Sequence, residues 1–312
     1  MGGYGVPGYS GYQPPPPPDP LISPDYSGWW DRGVTIVKRG WRQLVTLQVI
    51  GLVLAVIIQT PVGVYAALAR NDLSASLSTT TGANPATPAD LGPLLVLIGI
   101  SLLTTLVAII VTSIVTLATV RVGVCAAIGT PITTSEALTL AVRRVFPLIG
   151  WQLLALPIYL AGVCACGVGV LYVAAVLLVL PVVVAVERRN AIGRCFALFN
   201  RNFGASLARV ATIAGLSIGA AIVSAVVGAI LSTATHASVP GDSGLIASSI
   251  ISTVIAAIIG GAVAVFIAPL TLTAYADMRA RYEQITTPTI AWELGIQPPP
   301  DQPWFYGAAS RP

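Results

Sequence analysis

Charge is what this chain has least of. Only 28 of its 312 residues are charged, 16 Lys or Arg and 12 Asp or Glu, which is 9% of the chain. A soluble domain carries roughly 25%, so there is too little charge to cover a water-facing surface. With a mean hydropathy of +0.84, the apolar excess is expected to face lipid. Histidine is nearly missing as well, His236 being the only one, and the four cysteines, Cys125, Cys164, Cys166 and Cys195, are scattered. A zinc site wants three or four such ligands at short spacing, so neither a metal nor a cofactor is expected. A disulfide between Cys164 and Cys166 would span one residue under strain, so free thiols are expected. No paired carboxylates and no Ser/His/Asp or Cys/His set can be assembled, so the chain reads as a non-enzyme. The net charge of +4 does not point to nucleic acid, because the basic residues flank apolar segments instead of forming a patch.

What is present begins with a Gly/Tyr/Pro-rich stretch over residues 1–27, including five consecutive prolines from Pro14 to Pro18. Such a composition favours polyproline II and builds no core, so a disordered cytoplasmic tail is expected. The first long apolar run starts only near Leu44, too late for a signal peptide, and should act as an uncleaved anchor. Five apolar blocks follow, at 44–68, 94–120, 146–186, 206–231 and 245–274; their only charge is Arg209, near the start of the fourth, which groups with the loop before it. The third block has 41 residues and as one helix would reach roughly 60 Å, about twice a bilayer core. It is expected to fold back between Cys164 and Gly169, where Gly167 and Gly169 permit a tight turn. Six transmembrane helices result.

The distribution of charge tests that count. With the N-terminus inside, fifteen of the sixteen basic residues fall on the cytoplasmic side and only Arg70 outside. A single crossing by the third block would leave seven inside and nine outside, against the positive-inside rule. A full hairpin and a re-entrant loop both satisfy the tally.

A short pattern recurs before the first, third and fifth helices: Lys38-Arg39-Gly40-Trp41, Arg143-Arg144-Val145-Phe146 and Asn200-Arg201-Asn202-Phe203. Each places an aromatic two residues after an Arg, which pins the depth of a helix start, with the guanidinium among headgroups and the ring at the interface. Upstream lie mixed segments, Trp29–Val37, Ser135–Val142 and Asn190–Phe199, expected to be short interfacial helices; the second follows a capping-box pattern, Thr133 to Glu136. The expected architecture is therefore all-α, with six transmembrane helices in three units of interfacial helix plus hairpin. The plainer alternative is that any cytoplasmic helix start attracts Arg and aromatics. Arg39, Trp41, Arg143, Arg144, Phe146, Arg188, Arg189, Arg201, Phe203, Arg279 and Arg281 are the candidate lipid-headgroup and interface residues.

Small residues recur every fourth position in the last block (Ser248, Ser252, Ala256, Gly260, Ala264, Ala268) and at Ala220, Ser224 and Gly228 in the one before. Such stripes let helices approach closely, either within the hairpin or between two copies of the chain. Pro61, Pro157, Pro181 and Pro269 are candidate kinks. At the end of the last block, Arg279 with Glu283 and Asp277 with Arg281 sit four apart and are expected to pair on a solvated helix exit.

Taken together, Pro181, the run Glu187-Arg-Arg-Asn-Ala-Ile-Gly-Arg-Cys-Phe-Ala-Leu198 and the terminal Tyr275-x-Asp-x-Arg-x-Arg-x-Glu283 resemble the membrane domain of bacterial glycerophosphoryl diester phosphodiesterases. Stand-alone actinobacterial membrane proteins carry the same domain, and one Lys against fifteen Arg suits a high-GC source. The resemblance covers about residues 28–290, leaving 1–27 and 291–312 as tails. It implies membrane residence and lipid contact; the catalytic barrel of those enzymes has no counterpart here and no catalytic residue carries over. The chain is thus expected to be a multi-pass bacterial plasma-membrane protein with both termini cytoplasmic. Its expected partners are membrane lipids, anionic ones included, and a second membrane protein or a second copy. The competing reading is a transporter or channel for a lipid or small apolar solute, its path lined by proline kinks.

Overall fold

Backbone groups in hydrocarbon have no water to bond to, so a chain this apolar must satisfy them within helices. A computed structural model describes residues 18–79, 92–164, 168–187, 190–239, 241–297 and 299, and among these there is no strand. Nine helices occur among them: α1 (Tyr26–Thr79), α2 (Gly92–Ile128), α3 (Thr134–Cys164), α4 (Val168–Leu177), α5 (Leu180–Val186), α6 (Ala191–Arg201), α7 (Phe203–Ser238), α8 (Asp242–Tyr282) and α9 (Thr287–Glu293). Six stretches are long and apolar enough to cross a membrane, with α4 and α5 together forming one of them. The protein is an all-α polytopic membrane protein.

The 41-residue block does fold back. α3 ends at Cys164 and α4 begins at Val168, and the two helices meet so closely at Gly162 that a Cβ there would lie 2.9 Å from the amide nitrogen of Val170. The returning limb is split between α4 and α5, with Pro181 in the first turn of α5. Pro61, Pro157 and Pro269 stay inside continuous helices. The capping box at Thr133 forms: Glu136 accepts from the Thr133 amide at 3.1 Å, and Thr133 Oγ1 accepts from the Glu136 amide at 3.3 Å.

Two expectations are corrected. Trp29–Val37 and Ser135–Val142 are not separate interfacial helices but the first turns of α1 and α3; only the third unit has a distinct helix, α6, divided from α7 at Asn202. Gly33 and Gly40 in α1 and Pro147 in α3 do not interrupt their helices, whereas the backbone of Asn202 leaves the helical region (φ −139°, ψ 65°) and parts α6 from α7. Nor does the packed body stop at residues 28 and 290, because Leu21 is fully buried and Leu294 and Ile296 nearly so.

Side by side, the membrane helices run in the order α4, α3, α2, α1, α8, α7, an arc whose ends approach through α4, α6 and α7. At that closure Tyr172 donates to Asn200 at 2.9 Å, with its ring against Phe196 and Phe199. The core is not spread evenly along the helices. It gathers at one end, which holds Trp29, Ile36 and Leu44 of α1, Val122 to Ile128 of α2, most of α5 and α6, and Leu270 to Met278 of α8. The far halves keep large apolar side chains such as Ile57, Leu102 and Ile222 exposed, which lipid tolerates because acyl chains are as apolar as they are.

Candidate functional site: the charged end and a distal cavity

The buried end of the bundle is also where the charge is. Residues 19–25 lie across it as a strap. The Asp19 carboxylate accepts from the amides of Leu21 (2.9 Å), Ile22 (3.0 Å) and Thr287 (2.9 Å), and from the Thr287 hydroxyl, so one side chain joins the strap to α9. Four residues on, the Ser23 amide donates to Asp277 Oδ1 at 2.6 Å, and Arg281 donates to the Pro24 carbonyl at 2.8 Å. Asp25 caps α1, accepting from Ser27, Ser23 and the Gly28 amide; these bonds hold its carboxyl far below the usual range.

Beneath the strap, Arg209 of α7 faces Asp277 Oδ2 of α8 at 2.9 Å, with the two side chains 3% and 0% exposed. The Trp29 indole donates to the Leu270 carbonyl at 3.3 Å beside them, and the Arg209 guanidinium lies 6.0 Å from the same ring. An ion pair at this depth is rare and tends to mark function or specificity. The pair is incompletely dressed, since Arg209 Nε has no hydrogen-bond partner.

Beside it lies a second node. Glu187 accepts from Arg194 Nε at 2.7 Å and from the Tyr275 hydroxyl at 2.8 Å. Arg279 reaches Glu283 at 3.0 Å and Glu293 at 2.7 Å, while Arg194 also pairs with Glu283. Two guanidinium groups are therefore shared among three carboxylates, those of Glu187 and Glu283 just past the ends of α5 and α8 and that of Glu293 in α9. Partial burial alone would raise the Glu283 carboxyl, but hydrogen bonds from Arg194 and Arg279 outweigh it and the net shift is downward. Burial disfavours charge on Arg194 too, yet Glu283 and Glu187 hold it above its ordinary value. Neighbouring Cys195, desolvated and close to Glu187, has its thiol pushed up to about 12 and is chemically quiet at neutral pH.

The candidate interface residues divide sharply. Trp41, Phe146 and Phe203 are exposed at 53%, 78% and 48%, and Arg39, Arg143 and Arg201 are exposed beside them. Arg144 turns inward to the Ala185 carbonyl at the end of α5. Arg279, expected at the headgroups, is instead buried and occupied by carboxylates; Arg281 is tied to the strap. Arg188 and Arg189 lie outside the described residues. Of the two expected helix-exit pairs, Arg279 with Glu283 forms, but Asp277 pairs across to α7 because Arg281 is drawn away by Pro24. Sequence reading passed over the Arg209–Asp277 pair. The available signal was two opposite charges, Arg209 six residues into α7 and Asp277 five residues before the end of α8, at the facing ends of consecutive antiparallel helices.

In the half remote from this charge, α1, α7 and α8 surround a cavity of about 680 Å³. Between it and the charged end, Leu270, Leu272 and Tyr275 of α8 are buried. Gly33 and Gly123 let α1 and α2 close over Leu270 and Leu272 there, with a Cβ at either position falling within 3 Å of a leucine methyl.

Comparison with known proteins finds no matching family model, no matching curated protein and no matching solved structure. No metal-binding group of three or more His, Cys, Asp or Glu occurs among the described residues.

Proposed function

We propose that this protein is a non-enzymatic module of the bacterial plasma membrane. Its charged end faces the cytoplasm and contacts anionic lipid headgroups, or assembles a partner protein there. The observation that carries this reading is the threefold exposure of Trp41, Phe146 and Phe203, each beside an exposed Arg, while apolar neighbours such as Leu44 and Leu148 are buried. Rings left out of a well-packed end suit the headgroup boundary, and each nearby guanidinium adds on the order of 1 kcal/mol of attraction to an anionic surface. The sequence resemblance to the phosphodiesterase membrane domain supports the same assignment, as does the expected topology, in which an N-terminus inside puts fifteen of sixteen basic residues on the cytoplasmic side.

Native mass spectrometry of the protein released from nanodiscs of mixed phosphatidylglycerol and phosphatidylcholine tests it. The wild type is expected to retain phosphatidylglycerol preferentially, and the triple variant Arg39→Gln, Arg143→Gln, Arg201→Gln to lose that preference. Equal retention by both proteins, together with unchanged recovery of any co-purifying protein, rejects the reading. Orientation is checked separately in a cysteine-free background: a cysteine at position 80 should label from outside intact cells and one at position 10 should not.

A transporter or channel is the second reading, favoured by the distal cavity. Against it stands the buried stretch of α8 that separates the cavity from the charged end.

A further inference from the structure

We infer that the cavity between α1, α7 and α8 is a binding site for the uncharged, hydroxyl-bearing head of a membrane lipid of the monoacylglycerol type. The inference rests on the cavity alone and not on the headgroup contacts proposed for the charged end.

Depth comes first. Ser252 stands ten residues into α8 from Asp242, about 15 Å along the helix, so the lining runs from Ser232 near the end of α7 inward into the apolar span. At this depth most side chains are aliphatic, yet the walls carry Gln59 from α1, Ser224 and Ser232 from α7, and Ser249, Ser252 and Thr253 from α8. Hydroxyl and amide groups left against acyl chains incur a desolvation cost, and close helix packing normally removes them from lipid. Here α8 meets α1 at Gly63, where a Cβ would lie 3.9 Å from Thr253 Oγ1, and meets α7 at Gly228. Gly228 approaches Ser252, with a Cβ built on it 3.8 Å from the serine Cβ, while Gln59, Ala225 and Ala256 remain exposed around the opening.

The hydrogen-bond inventory then defines the chemistry of the occupant. Ser224 donates to Ala220, Ser232 to Ala229, Ser252 and Thr253 to Ser249, all carbonyls of their own helices at 2.8–3.0 Å. Ser249 donates across to the Gly63 carbonyl of α1 at 3.4 Å. With their protons committed, these hydroxyls offer lone pairs to the cavity, and the Gln59 amide supplies both a donor and an acceptor. A wall rich in acceptors suits a ligand that brings its own O–H donors. Among the described residues no charged side chain lines the cavity, so a phosphate or an ammonium would find no counter-ion among them, at a cost of several kcal/mol. The volume falls within the range of roughly 300–1,000 Å³ typical of ligand sites. Exposed apolar side chains, Val226 and Ile230, stand next to the lining residues Ala225 and Ala229 in α7, which suits a lipid whose head enters while its tail stays outside.

The test uses the full-length protein in phosphatidylcholine nanodiscs with a monoacylglycerol that carries a photoreactive diazirine in its chain, and labelled peptides are mapped by mass spectrometry. Labelling is expected on α1, α7 and α8 peptides bordering the cavity, competed by monoolein but not by methyl oleate or by oleoyl lysophosphatidic acid. Ser252→Leu fills the cavity, and Gln59→Leu removes the amide at nearly constant volume and guards against a misfolded first variant. Gln59→Leu should reduce labelling at least about fivefold, while Thr105→Leu on the exposed face of α2 should leave it unchanged. Labelling spread over all lipid-facing helices and indifferent to monoolein, as a merely water-filled cavity would give, overturns the inference. So does equal competition by lysophosphatidic acid, or wild-type labelling of Gln59→Leu.

Discussion

Arg209 and Asp277 set the energetics at the scale of single residues. Breaking a buried pair strands a charge and costs about 3–5 kcal/mol, whereas replacing both members with apolar groups of similar size is often neutral. Arg209→Met alone and Asp277→Leu alone should therefore lower the unfolding midpoint in detergent markedly, and the double variant should be more stable than either, with a residual loss from the Ser23 amide left without its acceptor. If the double variant is as unstable as either single one, the pair is not the source of the effect. Glu283 gives a pH prediction whose sign follows from its lowered carboxyl. A carboxyl depressed on folding adds stability that is complete above its ordinary value of 4.5 and lost as pH falls below that through the folded value. Glu283→Gln should lower stability most at neutral pH, where the contribution is complete, and flatten the acid limb below about pH 4.5, so that variant and wild type converge as the pH falls. Cys195, buried and with a thiol raised to about 12, should resist maleimide at pH 8 in the folded protein, while exposed Cys164 reacts. Residue-level reading of the sequence went furthest where a pattern is local, as with the capping box at Thr133 and the Arg279–Glu283 pair. It failed for Asp277, because an (i, i+4) spacing offers a partner without revealing a stronger one 68 positions earlier on a neighbouring helix.

Among the elements, the strap shows how a segment with no regular structure becomes part of the fold. Residues 1–27 read as tail because prolines and glycines dominate the composition, and composition averages over the few residues that matter. Asp19, Leu21 and Ser23 are enough to seat the strap against α8 and α9, since one carboxylate accepts four hydrogen bonds and one leucine fills the gap beneath. Hydrogen bonds to charged groups contribute about 1.5–3 kcal/mol apiece, net of the water bonds they replace. Asp19→Ala should accordingly free both the strap and α9, seen as faster hydrogen exchange over 19–25 and 287–296 with α1 to α3 unchanged. Removal of residues 1–17 should leave exchange in both segments at its wild-type rate. The membrane helices themselves were legible from charge and length alone, including the fold-back near Cys164. Their starting points were less so: nothing in Trp29–Val37 or Ser135–Val142 distinguishes an interfacial helix from the first turns of a longer one.

Over the whole molecule, packing and polarity are graded along the helices together. The end that carries charge must be packed, because each desolvated guanidinium or carboxylate needs its partner held in place. The far end has no such requirement, since helices immersed in lipid gain nothing from hiding apolar surface, and space is left there for the cavity. The gradient predicts how substitutions will be tolerated. A Cβ at Gly33 would sit 2.5 Å from Leu270, in the packed end, whereas nothing lies within 4 Å of one at Gly99 or Gly219. Gly33→Leu should reduce the yield of monodisperse protein and lower its unfolding midpoint, because overpacking a filled core forces backbone to move. Gly99→Leu and Gly219→Leu should be neutral or slightly stabilising, since leucine replaces the poorest helix former short of proline by nearly the best. Equal sensitivity at all three glycines, measured by size-exclusion profile and thermal scan in the same detergent, would show that the far half is packed as tightly as the charged end and that the cavity is closed in solution.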